Sequence, residues 1–366
     1  YKQYGKKEII RENIEAIDKY LNYLLENPMT IDDKIYNGLT SKTGILADWL
    51  SIEVTDYTLI NNAVYAYLLE TSSKMAEIIG HTKLSNKYQA AYELTKAQWN
   101  ELYVDEDGRT RDFEGKLQDT QASYATPLRY GVFNEENEKK AVIHYQETVK
   151  RTLTEKGNYT IKTGFSGTPN LVPTLSNYGY IDEAYNLFES TEYASWLYPV
   201  INGATSIWER WNSYTVDGGF NGNNSMNSFN HFSLGAIYEW MMGYQLGIMS
   251  DEEKSGYKHF ILQPQMGGKM EFVKGSFESP YGTIHSGWTK SKGSLWNRYE
   301  VKVPANTTAD LYLPVEEDVK CEVLSEGVIY RGNTTFNHIK VAHFELVSGN
   351  FKFNRFNDFI EVSINQ

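Results

Sequence analysis

Residues 202–211 read Asn202-Gly203-Ala204-Thr205-Ser206-Ile207-Trp208-Glu209-Arg210-Trp211. This places one carboxylate between two indoles. The surroundings are poor in acids: from Ser195 to Trp240 the acidic residues are Glu209, Asp217 and Glu239. The same stretch carries Trp196, Tyr198, Tyr214, Phe220, Phe229, Phe232, Tyr238 and Trp240. Rings with a few placed polar groups are how proteins grip a sugar, whose apolar face packs on an aromatic surface while hydroxyls take hydrogen bonds. A carboxylate in such a wall can activate water or protonate a leaving oxygen. The same residues also suit an ordinary core in which Glu209 pairs with Arg210.

The 366 residues allow one large domain or two ordinary ones. Hydrophobic residues make up 41% and charged residues 22%, the balance of a globular protein. A formal charge of −12 argues against a nucleic-acid or anionic-membrane partner. No stretch reaches the roughly 20 apolar residues that span a bilayer. Tyr1-Lys2-Gln3-Tyr4 shows neither an initiator Met nor a leader pattern, so a piece of a longer protein is expected. Cys321 is the single cysteine, which excludes an intrachain disulfide and fits a reducing, cytoplasmic setting, while the Lys-, Asn- and Tyr-rich composition suits an AT-rich bacterium. The seven histidines show no metal-ligand spacing, and no cofactor is expected. Sequons at Asn158, Asn223, Asn306 and Asn333 carry little weight in an Asn-rich chain.

The first two thirds read as helices. Ile9, Ile10, Ile14, Ile17, Leu21 and Leu24 form a helical stripe over Lys6 to Glu26. Thr55-Asp56 caps a second helix that Gly80 ends. Further helices are predicted over Leu84–Tyr103, Asp119–Tyr130, Glu135–Lys156, Thr168–Asn177, Ile181–Ser190 and Met226–Leu246, joined by short loops as hairpins. The aromatic stretch from Ala194 to Asn224 is the exception and reads as a functional loop. After Met249, short alternating runs such as Tyr299-Glu300-Val301-Lys302-Val303, divided by Gly-bearing turns, predict an antiparallel β-sandwich. Residues 1–250 are therefore expected to form a helical domain and residues 257–366 an all-β domain.

Three more segments carry polar groups suited to a site. Asn230 and His231, in Met226-Asn227-Ser228-Phe229-Asn230-His231, fall in the first turn of a predicted helix that is apolar almost all round and so should be buried. A histidine there can donate to a sugar hydroxyl, or bond a core carbonyl. Asp48-Trp49, in Gly44-Ile45-Leu46-Ala47-Asp48-Trp49-Leu50, offers a carboxylate beside an indole; a turn residue and a core lid are the plainer alternative. Gly164-Phe165-Ser166-Gly167-Thr168-Pro169 lacks the Lys of a phosphate-binding loop and reads as a sharp turn, with Thr168 capping and Pro169 in the first turn of a helix.

These four motifs, in this order and followed by Ile261-Leu262-Gln263-Pro264 and a β-rich tail, resemble the bacterial α-L-rhamnosidases of glycoside hydrolase family seventy-eight. The resemblance covers essentially the whole chain and implies an (α/α)6 six-hairpin barrel with a C-terminal β-sandwich. It implies inverting hydrolysis of terminal α-L-rhamnosides, with Glu209 as the general base. Asp48, Trp49, Asn230 and His231 are then substrate contacts, and Trp208 and Trp211 parts of the pocket wall. Two departures stand out. The family's motif has Gly where this chain has Ala47. The family's general acid lies in an acid- and arginine-rich motif upstream of the helix that begins this chain; Asp105-Glu106-Asp107-Gly108-Arg109 reads as a surface turn. About eight of twelve barrel helices are therefore expected, completed by an upstream segment or another chain, with little hydrolysis by this chain alone. A carbohydrate-binding protein with a degenerate pocket is the alternative, and a sugar phosphorylase a third.

Overall fold

The computed structural model describes residues 1–42, 46–220 and 224–364. Gly44 and Ile45 of the Asp48 motif and the sequon residue Asn223 lie outside them. The chain divides into two compact units. One comprises Lys7–Leu175 and Asn186–Ala236 and is mostly helical. The other comprises Tyr1–Lys6, Ser176–Tyr185 and Ile237 onward and is mostly sheet.

The helical unit begins with α1 (Glu8–Leu25), whose buried stripe is Ile10, Ile14, Leu21 and Leu24. A hairpin of β1 (Pro28–Ile31) and β2 (Lys34–Thr40) follows, unforeseen in the sequence. Its turn residues Asp32 and Asp33 have φ of 46° and 63°, the paired left-handed geometry of a two-residue hairpin loop. Helix α2 (Tyr57–Ile78) starts where expected: Asp56 accepts a 2.7 Å hydrogen bond from the backbone N–H of Leu59. Gly80, at φ 79°, ends it. Helix α3 (Thr82–Tyr103) packs on α2, and the Trp99 indole donates to the Leu59 carbonyl at 3.0 Å. Then come α4 (Gln121–Arg129), α5 (Glu135–Lys150), α6 (Thr168–Asn177) and α7 (Ile181–Glu189). Helix α6 has the predicted ends, while α5 stops six residues short of its predicted end.

The aromatic stretch holds a short helix α8 (Leu197–Ile201) and a small hairpin, β3 (Tyr214–Thr215) with β4 (Gly219–Phe220). The predicted helix over Met226–Leu246 is corrected. Residues 227–232 are irregular, and the chain then runs through a 3-10 turn at Ser233–Ala236, α9 (Ile237–Trp240) and a π-helical turn at Met241–Gln245. It is not buried all round: Phe232 is 85% exposed and Tyr238 64%.

In the sheet unit, β5 (Ile248–Ser250), β6 (His259–Leu262), β10 (Thr308–Pro314), β12 (Val328–Phe336) and β13 (Ile339–Leu346) form a five-stranded sheet in the order β12-β13-β10-β6-β5. A six-stranded sheet runs β11-β15-β14-β9-β8-β7. Its strands are β7 (Phe272–Ser279), β8 (Gly282–Thr289), β9 (Arg298–Val303), β11 (Lys320–Val323), β14 (Gly349–Phe356) and β15 (Phe359–Ile364). Phe344 of β13 meets Phe353 of β14 edge to face at 5.1 Å, joining the two inner faces. The pairing is mainly antiparallel, but β6–β10 and β11–β15 are parallel. Burial alternates along the strands as a half-buried sheet requires: Ile284, Ser286 and Trp288 of β8 face inward.

Candidate functional site

The four motifs converge within the helical unit through hydrogen bonds and ring contacts. Asp48 is the first link. It is buried, and its carboxylate accepts backbone N–H bonds from Gly164 at Oδ2 (2.8 Å) and from Gly167 at Oδ1 (2.7 Å). The Trp49 carbonyl accepts from the Phe165 N–H at 2.9 Å, and the Ser166 hydroxyl donates to the Ala47 carbonyl at 2.5 Å. The approach is close enough to require glycine: a Cβ on Gly164 would lie 2.1 Å from the Trp49 carbonyl oxygen. Burial pushes the Asp48 carboxyl up to about 6, while the N–H groups of Gly164, Gly167 and Ser166 pull it down. Trp49 itself is 39% exposed, so its indole is open to a ligand. Ala47 sits at φ 50°, a left-handed angle that its methyl group makes unfavourable.

The second link runs between residues 207–209 and 228–231. The Glu209 N–H donates to the Ser228 carbonyl at 2.9 Å, and the His231 N–H donates to the Ile207 carbonyl at 2.9 Å. The Ser228 N–H in turn donates to Glu209 Oε2 at 2.7 Å. Glu209 is 8% exposed, and among the described residues Oε1 has no hydrogen-bond partner. Among those residues no ion pair joins Glu209 to Arg210, whose Nε is buried without a partner. The structural pair left open by the sequence is thus absent.

His231 is held from three sides. Its ring stacks on Phe165 at 5.0 Å and on Phe232 at 5.2 Å. Its Nδ1 accepts the Ser233 N–H at 3.3 Å, which assigns the ring proton of the neutral form to Nε2. Nε2 has no partner among the described residues and remains a free donor. The Phe165 contact ties the Asp48 loop to the Glu209 segment. Trp211 makes a second tie, its indole N–H donating to the Thr163 carbonyl at 2.8 Å.

The two indoles flanking Glu209 differ. Trp211 is 4% exposed, has its polar atom satisfied internally and meets Trp196 edge to face at 5.6 Å, so it props the loop from within. Trp208 lines a cleft of about 420 Å³ with Tyr214, Phe220, Phe229 and residues 202–206. Glu209 is not among the residues lining it. Asn230 is exposed, and its side chain has no partner among the described residues. The hairpin that brings Tyr214 to Phe220 (5.2 Å between rings) was not foreseen, although Asp217-Gly218 between two short apolar runs is a turn signal. Among the described residues no group of three His, Cys, Asp or Glu side chains could hold a metal. No described helix is long and apolar enough to cross a membrane.

A family model described as the bacterial alpha-L-rhamnosidase 6 hairpin glycosidase domain matches residues 1–244, and one described as the bacterial alpha-L-rhamnosidase C-terminal domain matches residues 247–327. An alpha-L-rhamnosidase of Streptomyces avermitilis is 28% identical over 354 residues, covering 96% of this chain and 31% of that protein. One from Formosa agariphila is 32% identical over 336 residues, covering 89% of this chain and 34% of that protein. The chain thus spans about a third of the length of the curated relatives it matches. The solved structure of the Streptomyces avermitilis alpha-L-rhamnosidase complexed with L-rhamnose superposes with a TM-score of 0.80 at 26% identity, over 97% of this chain and 32% of that one. The native enzyme of Aspergillus terreus has the same fold, with a TM-score of 0.75 at 23% identity over 86% of this chain and 35% of that one.

Two outcomes follow from the Asp48 loop. Ala47→Gly relieves a left-handed alanine, so denaturant unfolding should show a gain of up to about 1 kcal/mol, the steric relief less the entropy of glycine; a loss would contradict the strain. The Asp48 carboxyl is raised in the folded state, so the native protein binds its proton more tightly than the unfolded chain. Its contribution therefore falls as pH rises from about 4 to about 6 and is flat above. The difference in stability between wild type and Asp48→Asn should change across that window by on the order of 2 kcal/mol. A difference independent of pH would show that the carboxyl is not raised.

Proposed function

The chain belongs to the bacterial alpha-L-rhamnosidase family, and on that premise we propose that it carries the base half of a glycosidase site that hydrolyses terminal α-L-rhamnosides with inversion. One observation carries this: Glu209 is buried, anchored through Oε2 by the Ser228 N–H, and has its other oxygen unpaired. One anchored oxygen fixes the carboxylate plane. The second then takes a proton from a water positioned for attack on C1 of the sugar. His231 Nε2–H and the exposed Trp49 indole are the groups we assign to the sugar, the first as a donor to a hydroxyl and the second as a stacking face. Asn230 is assigned a further hydroxyl contact. Asp48 acts on the substrate through the loop it holds, with lone pairs left for a hydroxyl. Trp208 forms wall on the cleft side and Trp211 supports it.

Inversion needs a second carboxyl group about 6.5–9.5 Å from the base, leaving room for water between them. We assign that proton donor to a segment outside residues 1–366, supplied by the rest of the protein or by another chain. The site as assigned needs no metal or cofactor. Glu209→Gln, made in the full-length protein, keeps the shape and the Ser228 hydrogen bond but removes the base. Turnover of an aryl α-L-rhamnoside should fall by several orders of magnitude with KM little changed. Near-full activity would exclude Glu209 as the base. If Glu209→Gln and wild type both bind rhamnose and neither turns over substrate, the pocket is a binding site alone.

A further inference from the structure

The outer face of the six-stranded sheet carries a second polar depression, wholly within the sheet unit. It is an open groove of about 590 Å³ across β7, β8, β9 and β14. Its outward-facing residues are Lys274 and Ser276 of β7, His285 of β8, Glu300 and Lys302 of β9, and Asn350 of β14. Register aligns them in two rows. Lys274 stands opposite Gly287, which stands opposite Glu300; Ser276, His285, Lys302 and Asn350 follow one another across the next row. Gly287 keeps the floor low, since a Cβ there would come within 3.0 Å of the Lys274 Cβ.

Lys274 and Lys302 are exposed, and neither has a carboxylate partner among the described residues. Glu300 lies 3.9 Å from Arg298, outside the groove. Two ammonium groups without carboxylate partners in one groove are unusual on a chain of net charge −12. Edge protection accounts for Lys274, because β7 is an edge strand, but not for Lys302 on an interior strand. Further polar groups line the groove: the Ser276 hydroxyl and the His285 imidazole between the lysines, and the Asn350 amide beyond Lys302. The two lysines rise from positions two strands and two residues apart, roughly 12 Å between Cα atoms. That spacing suits a chain with more than one carboxylate.

We propose that this groove binds an acidic polysaccharide, its lysines pairing with uronic acid carboxylates and its neutral groups bonding sugar hydroxyls. Nucleic acid fits less well. The lining has no Phe, Tyr or Trp for bases to stack on, and the overall charge opposes a dense polyanion. The bidentate arginine forks and helix N-terminus that favour phosphate over carboxylate are both missing from the groove lining. The site is independent of the chemistry assigned to Glu209, so its failure leaves that assignment untouched.

Affinity electrophoresis of the 366-residue chain in gels containing polygalacturonate, neutral galactan or neither tests it. Polygalacturonate should retard the chain, galactan should not, and added salt should weaken the effect. Lys274→Ala with Lys302→Ala should weaken binding about tenfold, the loss of two exposed ion pairs, while Lys274→Arg with Lys302→Arg should retain it. No retardation, equal retardation of the double alanine variant, or equal binding of single-stranded DNA or phosphatidylserine vesicles would overturn the proposal.

Discussion

The Asp48 carboxylate is the constraint on which the site depends. Taking a carboxylate out of water is costly unless hydrogen bonds replace the lost solvent. Here each oxygen takes a backbone N–H from the loop that opens α6. A loop held only by its own turns would wander. Held by a buried charge, it presents Phe165 at one place, and His231 stacks there. The backbone bonds between residues 207–209 and 228–231 then place Glu209 relative to that histidine. Sites far apart in sequence thus become one rigid constellation, which is what catalysis asks of its supports.

Much of this was legible before any coordinates. Helix α6 kept its predicted ends because Thr168 and Pro169 are unambiguous start signals and the turn at Gly179 follows it closely. Helix α2 was legible through the Asp56 cap and Gly80. The segment after Asn224 was misread because an apolar run says that a chain is packed, not how tightly it coils. There the chain passes through 3-10, α and π turns in succession, and Phe232 and Tyr238 face outward. The hairpin of β1 and β2 was missed because its turn is Asp32-Asp33, without the glycine that usually marks one.

At the site, residue types were easier to read than roles. Glu209 and Arg210, adjacent in sequence, looked like a pair and are not one: the Glu209 carboxylate bonds the Ser228 amide instead. The two tryptophans that flank Glu209 turn out to differ, one lining a cleft and the other bonded internally to Thr163. Such differences depend on which partner the fold brings from elsewhere in the chain, and spacing along one segment carries no record of it. The left-handed angle at Ala47 was likewise not legible in the residue itself, since alanine does not mark such a position as glycine does.

The central claim is that the unpaired oxygen of Glu209 receives a proton from the attacking water. A crystal structure of the full-length protein with L-rhamnose bound tests it most directly. The account predicts a water or sugar oxygen within about 2.6–3.2 Å of Glu209 Oε1 on the side of C1, with His231 Nε2 donating to a ring hydroxyl. Rhamnose bound in a different cleft, with Glu209 sealed from it by protein, would contradict the account.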